Sequence, residues 1–468
     1  MNKRFIIEIM LLLAVVAGLW SCYDDKGNYD YKNLISLQID TLGIKAEQTA
    51  YQFENFNVPV EVKYAGDEKN LSYEWKIYPQ DPKKDDDVQK YDSAVVLYTK
   101  AVFDTIIYEV PGAYYLTLTV TDNVQDLKEY FTMKLNVETL VSRGLCVMDE
   151  KNGLYDLNII KSAKLLTDIT ASEEQVYYHV YSGVNDTEVT NGKFLGRGTY
   201  SDNNVLYFFT ENGGLKLDVN TYEIMSNDFT SWFSFPMSVT AAPEAYVITS
   251  RPLEMIVTNG LVYVWDHRSM GVTTFGDRLD GDYKAAPYLP NISTSSFSSV
   301  IFDMKNKRFA PINQFGSNVG TFESTSTGEF DLNDIGSTKE LKFMENGFNS
   351  YTYAVFYDTE TSGYSLYVMD FSGATATPVK KYSMADCEGL TESSLYTFGN
   401  QGNVCFYASG SDLYQYKYAS TNKGAVVHSF SGETITGVEV FKNSGHAKDG
   451  KLLIVSTESG GEGKVYLI

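Results

Sequence analysis

Four histidines are all this chain of 468 residues offers, and none of His179, His267, His428 or His446 has a second His, Cys or acid at metal-ligand spacing. No HExxH occurs either, so the usual zinc-hydrolase arrangement is excluded and each His reads as a loop or core residue. Neither a GxSxG elbow nor a glycine-rich phosphate loop after a strand is present, which leaves no recognisable catalytic constellation and no expected cofactor. Positive charge is scarce too: 38 Lys plus Arg face 60 Asp plus Glu, a net charge of −22. A phosphate backbone would be repelled, so nucleic acid is not an expected partner. Only four cysteines occur, and no disulfide framework is needed. The spacing of Cys387 and Cys405 permits a bond without demanding one, and Cys146, inside "GLCVMD", reads as a small core residue. Long Ala/Leu/Glu/Lys-rich helical patterns are nearly absent.

Aromatic and β-branched residues fill the space. The chain has 36 Tyr and 26 Phe, with many Thr, Val and Gly, a composition that favours an all-β protein. Apolar residues make up 43%, enough for real cores, and the length alone suggests two to four domains.

At the N-terminus, Lys3 and Arg4 precede "FIIEIMLLLAVVAGLW", and Leu19-Trp20-Ser21-Cys22 follows. The order of charged, apolar and small residues is that of an export signal over residues 1–21. Glu8 interrupts the run, which is short for a membrane span. The last four residues resemble a bacterial lipoprotein box, which implies a lipid on Cys22. Several acyl chains, at about 0.8 kcal/mol per buried methylene, make such an anchor effectively permanent. Asp24 and Asp25 resemble the surface-export signal of lipoproteins in the Bacteroides group. The resemblance implies an outer-membrane protein, lipid-anchored and facing the cell exterior; a periplasm-facing lipoprotein is the alternative. Polar residues 22–39 then read as a tether.

From about residue 40 the pattern changes. "VPVEVKY", "LSYEWKIYP" and "AYYLTLTVTD" alternate apolar and polar residues with a period of two, each strand burying one face. Pro111-Gly112 marks a turn, and Trp75 is the expected core plug of a two-sheet sandwich over residues 40–139. "YEWKI" followed by "VPGAYYLTLTVTDN" resembles the PKD domain, an immunoglobulin-like sandwich. With "SCYDDKGNYDY" it is similar to the PKD-like lipoproteins of the Bacteroides group. That resemblance implies an accessory protein of an outer-membrane nutrient importer and its lipoprotein lid.

Residues 140–468 repeat one pattern, an apolar strand, a polar turn and a second strand. It appears at 144–160, 204–219, 261–276, 299–312, 353–371, 403–418 and 451–468. Markers Leu145, Val205, Leu261, Val300, Ala354, Val404 and Leu452 step by 60, 56, 39, 54, 50 and 48 residues. A mean of about 51 is close to one four-stranded blade, so the expectation is a seven-bladed β-propeller. Six or eight blades, or two stacked sandwiches, are the alternatives. A strand from near residue 144 would suit a shared closing blade with the C-terminal strand.

The search for chemistry yields binding more readily than catalysis. "DLNDIGSTKE" (331–340) has Asp331, Asn333 and Gly336 at calcium-loop places, but Ile335 and Lys342 occupy ligand positions, so it reads as a turn. Acidic pairs such as Asp280 and Asp282 can be chosen freely from so many carboxylates, so none indicates a glycosidase. Sugars stack on aromatic rings with planar polar side chains beside them. "DFTSWFSFPM" (228–237) and "FGDRLDGDYKAAPYLPN" (275–291) bring such residues together, with Trp232, Arg278, Asp280, Asp282, Tyr283 and Tyr288 as candidate ligand contacts. Phe229, Phe233 and Phe235 fit a blade core equally well. The reading is a non-catalytic, glycan-binding accessory of polysaccharide uptake. A propeller-type carbohydrate-active enzyme and a peptide- or protein-binding adhesion module are the alternatives.

Overall fold

The computed structural model describes residues 35–80, 94–139, 143–200, 203–292, 296–322 and 328–468. Residues 1–21, read above as an export signal, Cys22, Asp24, Asp25 and most of residues 22–39, read as a tether, lie outside these residues. The chain divides into two compact units, one of residues 1–48, 57–105 and 113–135, the other of residues 49–56, 106–112 and 136–468.

The N-terminal strands form a five-stranded sheet in the order Glu47–Tyr51, Leu127–Glu138, Gly112–Asp122, Leu71–Pro79, Val95–Tyr98, with two smaller two-stranded sheets. Trp75 is fully buried, its Nε1 donating to the Lys100 carbonyl at 3.0 Å and its ring edge-on to Phe103. The strand Gly112–Asp122 departs from simple alternation, because Tyr115 and Thr117 are buried as well as Tyr114, Leu116 and Leu118. Tyr115 lies against Tyr78, and Thr117 shares a hydroxyl hydrogen bond with Thr132, so the second face is covered too.

The C-terminal residues form seven small antiparallel sheets in chain order, and the protein is all-β. Blades 1, 2, 5 and 6 have four strands each, the last three running from Gly192–Tyr200 to Ile224–Ser226, from Lys339–Asn346 to Thr377–Ser383, and from Leu395–Phe398 to Gly424–Ser429. Blade 1 runs from Leu145–Lys151 to Val189–Thr190, blade 3 from Pro243–Ile248 to Leu261–Asp266, and blade 7 from Thr434–Val440 to Glu462–Leu467. Blade 4 pairs Phe297–Asp303 with Arg308–Asn313, and single bridges at Ala285 and Val319 extend it on both sides. Local sequence makes the hairpins: Asn152-Gly153 and Asn259-Gly260 both have positive φ, the geometry of a two-residue turn whose twist matches the strands.

Each blade buries both faces against its neighbours, which is why apolar residues occupy consecutive positions of the middle strands, as at 205–209. In Asn203–Thr210, Leu206 and Phe208 pack toward blade 1 with Leu157 and Ile159, while Val205, Tyr207 and Phe209 pack toward blade 3 with Ile256 and Tyr263. At about 1.5–3 kcal/mol per large apolar side chain, such seams hold the blades in sequence. Equivalent cores join blades 3 to 4, 4 to 5, 5 to 6 and 6 to 7. The ring closes where Leu452 and Leu467 of blade 7 meet Leu145, Leu165 and Leu166 of blade 1, and Lys164 Nζ donates to the Leu467 carbonyl at 2.7 Å.

Two expectations change here. Among the described residues, Glu462–Leu467 pairs only with Leu453–Ser459, and Leu145–Lys151 only with Leu154–Lys161, so side-chain packing rather than a shared strand closes the ring. The uneven steps of 56 and 39 arise because Leu261 lies on the third strand of blade 3; taking Leu253 of its second strand makes them 48 and 47.

Candidate functional site

A cleft of about 500 Å³ lies beside the turn that joins Asn203–Thr210 to Gly213–Asp218 in blade 2. Residues 187–190, which end blade 1, form one wall, and residues 227–230, which leave blade 2, form the other. Its floor is apolar, made by Tyr181, Val189, Leu215, Ile224 and Phe229, whereas Thr187, Glu188, Thr190, Asn212, Asn227 and Thr230 line the rim. No lysine or arginine is among the lining residues.

Local geometry explains this division. Asp228 begins a short 3-10 turn over Phe229–Trp232, its Oδ1 accepting from Thr230 N at 3.1 Å, Ser231 N at 3.3 Å and Thr230 Oγ1 at 2.8 Å. Those bonds, the Thr230 hydroxyl first, hold its carboxyl below the usual carboxylate range. The turn drives Phe229 and Trp232 inward. Gly213, at φ +151°, lets the blade 2 hairpin approach, since a Cβ there would lie 3.3 Å from that of Phe229. Glu188, Asn212 and Asn227 are exposed and make no side-chain hydrogen bond among the described residues. The rim therefore presents carboxamides, a carboxylate and hydroxyls with free hydrogen-bonding capacity above an apolar floor.

The sequence-predicted residues are distributed differently. Trp232 is 2% exposed, packed against Tyr207, Phe229 and Phe209, with Nε1 donating to Ser226 Oγ at 3.0 Å. Phe229 and Phe233 share that core, and Phe235 is exposed. Tyr283 is buried between blades 3 and 4, its hydroxyl accepting from Val262 N and donating to the Leu279 carbonyl; burial pushes its pKa up to about 12. Tyr288 packs on the blade 4 to 5 core and donates to the Lys342 carbonyl at 2.6 Å. The rings of Trp232 and Tyr283 are thus buried in protein, and that of Tyr288 is partly buried, edge-on to Phe343. Arg278, Asp280 and Asp282 are exposed, and Asp282 is ion-paired with Lys305. None of the six lines the cleft; only the stretch that contains Trp232 does, through Asp228, Phe229 and Thr230.

Sequence reasoning also missed a buried polar cluster between blades 2 and 3. Glu254, 1% exposed, accepts from Tyr207 Oη at 2.7 Å and meets His267 Nε2 at 2.9 Å. Beside it, Lys216 Nζ lies over the rings of Trp232, Trp265 and Tyr207 at 4.9, 5.4 and 5.7 Å. Burial lowers the Lys216 pKa to about 8. His267 stands far from Tyr207 in sequence, so no local motif announces this cluster. Among the described residues no three His, Cys, Asp or Glu converge as a metal would require. Residues 331–338 form successive turns in which Asp331 and Asp334 accept from Asn333 N and Gly336 N, and residues 339–340 begin the first strand of blade 5. Cys387 and Cys405 are separate thiols in the blade 5 to 6 core, and Cys146 is a partly buried thiol.

No curated protein matches this sequence. Several solved structures are similar at low identity. The extracellular domain of a one component system of B. thetaiotaomicron shares 10% identity at a TM-score of 0.39, covering 75% of this chain and 44% of that one. PorZ, a surface component of the type-IX secretion system of Porphyromonas gingivalis, shares 9% at 0.32, covering 77% and 45%. The WD40 domain of SCAP from fission yeast shares 9% at 0.33, covering 73% and 90%. This chain thus spans under half the length of the two bacterial proteins. The model of the PKD-like family matches residues 22–191, a span that includes the N-terminal sandwich strands and blade 1.

Proposed function

We propose that this protein is a lipid-anchored protein of the outer cell surface that captures glycan without cleaving it and presents it to an outer-membrane nutrient importer. The observation that carries the reading is the cleft between blades 1 and 2. Its apolar floor suits the C–H face of a sugar ring, and the free side chains of Asn212, Asn227 and Glu188 suit ring hydroxyls. The sequence "LWSCYDD" supports the anchor and its outward orientation, and the PKD-like match supports an accessory role. Because the lining holds Glu188 and Asp228 and no cation, neutral glycans fit it better than sulfated or uronic ones.

Affinity electrophoresis tests the reading. Residues 22–468 carrying Cys22→Ser are run through gels containing neutral, uronic or sulfated polysaccharides. At least one neutral polysaccharide is expected to retard the protein, an Asn212→Ala/Asn227→Ala variant is expected to run free, and no shortened product should appear. Retardation by none of them, or release of oligosaccharides, would overturn the proposal.

A further inference from the structure

The outer strand of a propeller blade leaves one row of backbone groups without a sheet partner, a ready template for another strand. In blades 2 to 5 of this ring, residues of the preceding blade or of the chain arriving from it take up part of that row. Ile224 N of blade 2 donates to Asn185 Oδ1 at 3.0 Å. In blade 3, Phe275 N donates to the Trp232 carbonyl and Ser234 N to the Phe275 carbonyl, both at 2.8 Å. Val319 N of blade 4 donates to the Asp280 carbonyl at 3.0 Å. In blade 5, Lys381 N donates to Glu329 Oε2 at 2.9 Å, Lys380 pairs with the same carboxylate, and Pro378 has no N–H to offer.

Blade 6 leaves more of its row open: among the described residues, its outer strand, Gly424–Ser429, is met only at its first residue, where Gly424 N donates to the Asp386 carbonyl at 3.2 Å. Ala425, Val426, Val427, His428 and Ser429 are all exposed, Val426 by 46% and Val427 by 49%. None of these five residues is Pro, Lys or Glu, the types that elsewhere guard an edge. Beside the strand, Val427 and His428 border a cavity of about 360 Å³ whose other walls include Phe406, Leu413, Val440 and Leu452.

A bare main-chain edge selects an extended backbone, and an apolar cavity on its flank selects one large apolar side chain of that backbone. A second copy of this chain, itself carrying −22, is disfavoured by repulsion. We infer that residues 425–429 form a docking edge for an extended segment of another protein, which adds a fifth strand to blade 6 and places an aliphatic or aromatic side chain in the adjoining cavity.

Selection from a phage-displayed library of nine-residue peptides tests this, with residues 22–468 carrying Cys22→Ser as the immobilised target. Enriched peptides are expected to carry a large apolar residue and to bind a Val427→Lys variant at least tenfold more weakly. Circular dichroism checks that this surface substitution leaves the fold intact. Bound peptide should also slow deuterium exchange of the amides in 425–429. Absence of enrichment, equal binding to the variant, or protection confined to another region would overturn the inference. So would a concentration-dependent dimer that Val427→Lys abolishes, since it would assign the edge to a second copy.

Discussion

Glu254 is the residue on which blades 2 and 3 most depend for polar satisfaction. A buried carboxylate without partners is costly, and this one is tolerated because Tyr207 and His267 face it. Glu254→Leu removes the group that Tyr207 Oη donates to and that His267 Nε2 faces, so it should destabilise the protein by about 3 kcal/mol. Tyr207→Phe alone should cost about 1 kcal/mol, and the double variant little more than Glu254→Leu, a coupling of about 1 kcal/mol read by urea unfolding. Glu433 is a second case, at the surface. Lys464 Nζ lies 2.6 Å from it, and Thr457 and Tyr466 also donate to it, holding its pKa at about 2, below the ordinary 4.5. A carboxyl depressed in the folded state contributes stability above its unfolded pKa and loses it as pH falls through the folded value. The melting temperature should therefore fall between about pH 4.5 and 2, and less steeply in Glu433→Gln. Asp122, held at about 2 by the Tyr64 hydroxyl, acts in the same window, so the difference between the two proteins isolates Glu433.

At the scale of elements, the seams between blades are unequal. Among the described residues, the core joining blades 4 and 5 includes Phe302, Phe309, Phe356, Phe371 and Tyr367, whereas the closing seam of blades 7 and 1 rests on Leu165, Leu166 and Leu452 with partly buried neighbours. Local opening follows the regions with least buried apolar surface. Native-state hydrogen exchange should therefore find Leu145–Lys151 and Leu453–Ser459 opening at lower free energy than Thr352–Asp358. Exchange fastest in blade 5 would contradict the ranking of these seams. The hairpins themselves were legible in the sequence, because paired apolar runs around Asn-Gly turns have few other solutions. The way the ring closes was not, because hydrophobic pattern says which residues are buried and not which strand lies beside them.

For the whole molecule, the all-β class, the N-terminal sandwich strands and the seven-fold repeat follow from composition, period-two alternation and a spacing near 50 residues, whereas the PKD-like character rests on the resemblance of "YEWKI" and "VPGAYYLTLTVTDN" to that family. The cleft was much less legible. Trp232 attracts attention as a sugar-stacking ring, yet the turn capped by Asp228 rotates it into the core and leaves the less conspicuous Asn227 and Thr230 at the rim. Asn212 and Glu188 look like any turn or connector residue, and only the approach of blades 1 and 2 brings them together. The claim that this cleft holds the glycan is tested most directly by deuterium exchange with and without the polysaccharide that retards the protein. Protection is predicted at 187–190, 210–215 and 227–230; protection on other blades, with these segments unchanged, would contradict it.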